Sequence, residues 1–146
     1  MNNKRNLGNV LWMLALALVL GACARMEASK RADALDDATK TYAQLLRWGQ
    51  WSDAVKYIVL RKGQPRQVNL DTLKDIRVSS YEINDMVMAS DQKEAAVTAV
   101  ITFYHERSGV IHTLEDHQVW WYSDEGRHWL LDSELPDFIG ALKKRQ

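Results

Sequence analysis

The chain has one cysteine in 146 residues, Cys23. That excludes an intrachain disulfide, so stability must come from packing. There are only two prolines and seven glycines, and no internal repeat or low-complexity segment. Charge of one sign is missing as well, since 19 basic and 19 acidic side chains cancel. A balanced chain offers no basic field for nucleic acid. No glycine-rich phosphate loop, G-x-S-x-G elbow or zinc-spaced histidine pair occurs, so no cofactor and no metal is expected. Long hydrophobic runs are absent too. The longest, residues 10–20, is eleven residues, and even the window 7–22 falls short of the ~20 residues that span a bilayer.

What is present begins at the amino terminus. Lys4 and Arg5 precede the apolar run, which stops at Gly21-Ala22 directly before Cys23. A basic head, a short apolar core and a small-residue boundary are the parts of an export signal. Leu20-Gly21-Ala22-Cys23 resembles the lipobox of bacterial lipoproteins. The resemblance implies cleavage between Ala22 and Cys23, thioether diacylation of Cys23, and a third acyl chain on the new amino terminus. Two or three chains anchor stably where one binds only marginally, at about 0.8 kcal/mol per buried CH₂. Ala24 stands where an aspartate would resemble an inner-membrane retention signal, which implies the periplasmic face of the outer membrane. The expected division is a lipoprotein signal peptide over 1–22, a lipidated cysteine and short tether over 23–30, and one domain over 31–146. Without the signal, 17 bases face 19 acids, a charge of −2, which leaves no polybasic anchor. A coil over 24–30 reaches roughly 5–6 Å × √n, so the domain stays close to the membrane.

From Ser29 the apolar residues Leu35, Ala38, Tyr42, Leu45 and Leu46 recur at helical spacing. Gly49 supplies a stop, and Ser52 is placed to cap a second helix with Ala54, Val55 and Ile58 inward. The tryptophans of the Trp48-Gly49-Gln50-Trp51 corner are expected to close one end of the core. A turn of helix is expected over 70–74, capped by Asn69 or Asp71. Then the period falls to two. A first strand runs through Val78, Tyr81 and Ile83 to Met88, its alternation broken at Ser79-Ser80. A second buries Ala95, Val97, Ala99, Ile101 and Phe103, with Thr98 and Thr102 less buried. Glycine-bearing turns lead to strands over 110–122 and 128–132, in a register that the loops leave open. Pro136 opens a short terminal helix with Phe138, Ile139 and Leu142 apolar, followed by Lys143-Lys144-Arg145.

The predicted fold is α+β: two or three N-terminal helices packed on a curved antiparallel four-stranded meander, with a short C-terminal helix. The order of elements, with Tyr42-Ala43-Gln44-Leu45-Leu46-Arg47-Trp48-Gly49-Gln50-Trp51-Ser52-Asp53-Ala54 and Trp129-Leu130-Leu131-Asp132, resembles the cystatin-like, nuclear-transport-factor-two-like domains. Ketosteroid isomerases and SnoaL-like polyketide cyclases share that fold. The resemblance covers roughly residues 30–135. It implies a bent sheet wrapped around helices as a cone, and a dimer built through the sheets. None of the family's catalytic residues matches this sequence position by position.

By chemistry alone the candidates are His105, His112, Asp116 and His117, with Tyr81, Tyr104 and Tyr122. His105 and His112 are expected in solvent at a hairpin tip. Glu115 and His117 should share one face of a strand and Asp116 the other. Trp120 and Trp121 are adjacent, so one fills the cone and one points away, and Trp129 is expected to pair with one of them across the ladder. The outward ring is expected to contact an envelope protein or a second copy of the chain. Two functions compete. One is a membrane-anchored envelope lipoprotein whose domain binds a partner or a small apolar ligand without catalysis. The other is a tethered isomerase, cyclase or hydrolase of ketosteroid-isomerase type, with a carboxylate or histidine in the cone.

Overall fold

The computed structural model describes residues 3–144, with side chains from residue 25 onward. The side chains of Ala22 and Cys23, where cleavage and acylation are expected, lie outside those described, as does Arg145 of the basic tail. Helix α1 runs Asn3–Arg47 as one element, so the stretch 24–30 expected as a flexible tether is helical. Among the described residues no helix is long and apolar enough to cross a membrane.

Leu35, Thr39, Tyr42 and Leu46 are the fully buried stripe of α1, with Ala38 and Leu45 half-buried at its edges. Thr39 is polar, yet its hydroxyl donates to the Asp36 carbonyl at 3.0 Å, so burying it leaves no unpaired donor. The helix ends in a Schellman motif: Gln50 N–H donates to the Leu45 carbonyl and Gly49 N–H to the Leu46 carbonyl. Gly49 sits at φ +66. A Cβ there would meet nothing closer than Trp51 Nε1 at 3.7 Å, so alanine would be strained only by the left-handed backbone. Gly49→Ala is expected to destabilise by about 1–2 kcal/mol, read as a shift in the urea midpoint at unchanged slope.

The second helix is shorter than expected. Trp51–Ala54 forms α2, which tightens into a 3₁₀ turn at Val55–Tyr57. Ser52 does not cap it; Gln50 occupies that position without a side-chain bond. The chain leaves the helix because the sheet captures it. Ile58 bridges Leu131, and Val59 N–H donates to the Leu131 carbonyl at 3.0 Å. Arg61 then clamps the segment, its backbone N–H and Nε both donating to Asp132, at 2.9 and 2.7 Å, and its guanidinium reaching Glu94. The expected turn near 70 is a 3₁₀ turn, Leu70–Leu73, capped by Asn69 accepting from Asp71 N–H.

Strands β1 (Ile76–Met88), β2 (Glu94–His105), β3 (Ile111–Ser123) and β4 (His128–Leu131) form an antiparallel meander in that order. The architecture is the α+β one expected, closed by helix α3 (Phe138–Lys143) with Asp137 as its cap. The break at Ser79-Ser80 is a register shift, and a second lies between Ile83 and Asp85. Each inserts an extra residue, which bends the strand and returns its alternation to the same face. On β2 the expected face is correct: Ala95, Val97, Ala99, Ile101 and Phe103 are buried, Thr98 and Thr102 only partly. Most of them join Leu35, Tyr42, Leu46, Trp51 and Phe138 in one core cluster. The corner tryptophans divide. Trp51 packs edge-on against Phe138, while Trp48 is 80% exposed.

Candidate functional site

The register places residues 112, 114, 116, 118 and 120 of β3 on the helix-facing side, opposite Phe103, Ile101, Ala99, Val97 and Ala95. On β1, Tyr81 opposes Ile101, Ile83 opposes Ala99 and Met86 opposes Val97. Asp116 and Gln118 thus sit in the middle of an otherwise apolar inner face. Both are nearly closed off, at 9% and 2% exposure.

Four side chains form one polar chain. Trp120 Nε1 donates to Gln118 Oε1 at 2.9 Å. Gln118 Nε2 donates to Asp116 Oδ2 at 2.6 Å and to Tyr81 Oη at 2.5 Å. The indole N–H is a donor only, so it fixes which way the Gln118 amide points. Tyr81 therefore accepts from Gln118 and keeps its own O–H free to donate. Burial raises the pKa of Asp116, more than the Gln118 bond and the nearby His117 lower it. Burial likewise raises Tyr81, and it raises Tyr42 well above the ordinary phenol value. The Tyr42 hydroxyl, deep in the core, has no hydrogen-bond partner among the described residues.

The centre of the face is filled. Trp120 is fully buried, with Tyr42 edge-on at 5.8 Å and Tyr57 at 5.9 Å. Four hollows among the described residues are lined by none of Tyr81, Asp116, Gln118 or Trp120. The more apolar ones lie to the side: about 360 Å³ bordered by Val55, Ile58, Val68, Leu70 and Leu135, and about 420 Å³ between α1, Tyr57 and Trp129.

The remaining expected residues scatter. Trp121 points outward as the partner of Trp120, but its own chain caps it, Nε1 donating to the Val59 carbonyl at 3.0 Å. Trp129 pairs with neither of them. It faces Tyr122 in the ladder, packs edge-on against that ring at 5.5 Å, and donates to the Arg31 carbonyl at 2.9 Å. The β3–β4 register, set by the turn at 124–127, decides this. His117 and Glu115 share the outer face as expected and pair at 3.2 Å in solvent. His112 is not solvated: it stacks on Phe103 at 5.6 Å and is 9% exposed, because the strand places it on the inner face. His105 lies 3.9 Å from Asp75. Tyr104 opposes Ile111 on the outer face, away from the cluster.

Gln118, the pivot of the cluster, escaped the sequence reading, and so did the polar end of Tyr42. The alternating triplet Asp116, Gln118, Trp120 was the available signal, two polar residues on the same face as a core tryptophan.

No known family model matches the chain, and no curated protein sequence does. Among solved structures it is similar to a proposed polyketide cyclase from Xanthomonas campestris pv. campestris, at 10% identity and a TM-score of 0.44. The match covers 82% of this chain and 98% of the other. At that distance nothing about function passes from one to the other.

Proposed function

We propose that the chain is a lipid-anchored protein of the bacterial envelope, held at the periplasmic face of the outer membrane, whose α+β domain works by binding rather than by catalysis. The anchor rests on Leu20-Gly21-Ala22-Cys23 behind a short apolar run. The binding reading rests on one observation: Trp120, braced by Tyr42 and Tyr57, is fully buried and fills the centre of the inner face.

Two measurements test the two halves. Metabolic labelling with a fatty-acid analogue should mark wild type and leave Cys23→Ser unlabelled. Equal label on both defeats the anchor. In cells lacking the wild-type copy, Asp116→Asn should support the protein's role as well as Asp116 does, because the amide still accepts from Gln118. A folded Asp116→Asn chain without function would defeat the binding reading.

A second reading has one observation in its favour. A carboxyl whose proton is held more tightly than usual, linked through Gln118 to a tyrosine hydroxyl, is a donor pair suited to a developing enolate oxygen. A tethered isomerase or cyclase of ketosteroid-isomerase type would use Asp116 and Tyr81 in that way.

A further inference from the structure

At the end of α1 farthest from Cys23 the surface changes character. Trp48 is 80% exposed, the most exposed large apolar side chain among the described residues. Beside it lies a hollow of about 580 Å³ bordered by Arg47, Trp48, Gly49, Trp51, Lys74 and Arg77. Three cations and no carboxylate face this space. Arg77 is held in place as one wall, donating to the carbonyls of Lys74 and Ile76 at 2.6 and 3.0 Å and pairing with Glu106 at 2.8 Å. Arg47 and Lys74 are exposed and pair with no carboxylate among the described residues. Elsewhere this surface pairs many of its charges, as with Lys40 and Asp36, Lys56 and Asp53, or Lys93 and Asp124.

The left-handed Gly49 turns the chain so that Trp51 enters the core while Trp48 stays outside. The cavity falls in the size range of small-ligand sites, roughly 300–1,000 Å³. Its walls favour a ligand that carries both an apolar face and a negative charge. An uncharged apolar molecule would desolvate Arg47 and Lys74 without offering either a counter-charge, a cost without return. A planar anion with no apolar face would not use the indole. A hydrated ring with C–H edges and an attached anion satisfies both.

We propose that this hollow binds an acidic saccharide, a sugar ring laid on the Trp48 indole with its carboxylate or phosphate held by Arg47 and Lys74. An anionic lipid surface is the rival occupant, and the position of the patch disfavours it. Arg47 lies 24 residues beyond Cys23 along a continuous helix, a rise of about 36 Å at 1.5 Å per residue. That separation exceeds the ~8 Å screening length at physiological salt several times over, so a helix standing along the membrane normal holds the patch beyond the charge of the anchoring leaflet. The inference gives the binding reading above a place and a ligand chemistry, and rests on that reading only in treating the domain as a binder.

The test uses full-length protein in uncharged detergent, titrated by calorimetry and tryptophan fluorescence. The probes are a galacturonic acid trimer, its neutral galactose counterpart, glucose 1-phosphate, and vesicles with and without phosphatidylglycerol. Saturable binding of the uronate or the sugar phosphate, no binding of the neutral trimer, and weakening with salt are expected. Trp48→Ala and Lys74→Glu should each lower affinity roughly tenfold or more, the size of one lost charged hydrogen bond or its equivalent, with unchanged circular dichroism. Trp121→Phe should leave affinity unchanged. No saturable binding of either acidic probe overturns the proposal. So does binding of anionic vesicles alone that Trp48→Ala abolishes, which would assign the patch to a membrane surface. Either failure leaves Cys23 labelling and the Asp116→Asn test unaffected, so the two readings fail separately.

Discussion

Trp120→Ala is expected to destabilise the domain by about 3–5 kcal/mol, the usual span for deleting a buried aromatic ring. The residue is at 0% exposure and touches both Tyr42 and Tyr57 edge-on. Neither tyrosine can collapse into the gap freely. Tyr42 is anchored near the C-terminal end of α1, and Tyr57 is held by the short turn that precedes the Ile58–Leu131 bridge. The substitution also strips Gln118 Oε1 of its donor, which leaves a buried acceptor unpaired. Typical domains are stable by only about 5–15 kcal/mol, so a large share of the variant should be unfolded at moderate denaturant. Trp121→Ala should lose clearly less, since that ring is only half-buried and its one bond is to the Val59 carbonyl. Urea unfolding of the two variants settles the order. A Trp120→Ala midpoint as high as that of Trp121→Ala would mean the inner face is not the structural centre.

Asp116 should make stability fall as pH rises through the range just above the ordinary carboxylate value. Burial raises its pKa in the folded chain above the reference 3.8. Between those two values the folded state keeps a proton that the unfolded state has released. The folded state then binds more protons, so the derivative of stability with pH is negative in that window. Above the folded pKa the penalty is complete. Asp132 shifts the other way: burial would raise it, but the bonds from Arg61 together lower it, and it is common to every variant compared. Asp116→Asn removes the titrating group and keeps an acceptor for Gln118. It should therefore equal wild type in acid and exceed it at neutral pH, by about 1.4 kcal/mol for each pKa unit of the shift. Asp116→Leu should instead be less stable than Asp116→Asn by about 1–3 kcal/mol, because Gln118 Nε2 loses a buried partner. Identical pH profiles for wild type and Asp116→Asn would show that the carboxyl is solvated in the folded protein.

Local pattern carried most of the fold. The alternation over 95–103 names the buried face of β2 because the pleat sends neighbours to opposite sides whatever the surroundings. The Ser79-Ser80 break announces a bulge for the same reason: two like residues in a row cannot both keep the period. Helical spacing in α1 finds the stripe, though it counts the half-buried Ala38 and Leu45 with it and passes over Thr39. The error is chemical. A hydroxyl that bonds the carbonyl three residues back can be buried cheaply, and composition does not reveal that it does so.

The α+β order of elements and the opposed faces of Trp120 and Trp121 are local properties, settled by residues within a few positions of one another. The polar chain on the inner face is not. Gln118 meets Tyr81 37 residues away, Trp121 meets Val59 62 residues away, and Trp129 meets Arg31 98 residues away. Those distances close only once the two bulges of β1 and the turn at 124–127 have set the register, and a slip of one residue would have sent every one of these side chains to the other face. The hollow beside Trp48 is of the same kind. Its cations come from the end of α1 and from the approach to and start of β1, and only tertiary packing brings those two segments together. Sequence determines what each segment is; the long-range contacts, which no local period encodes, decide which polar groups meet.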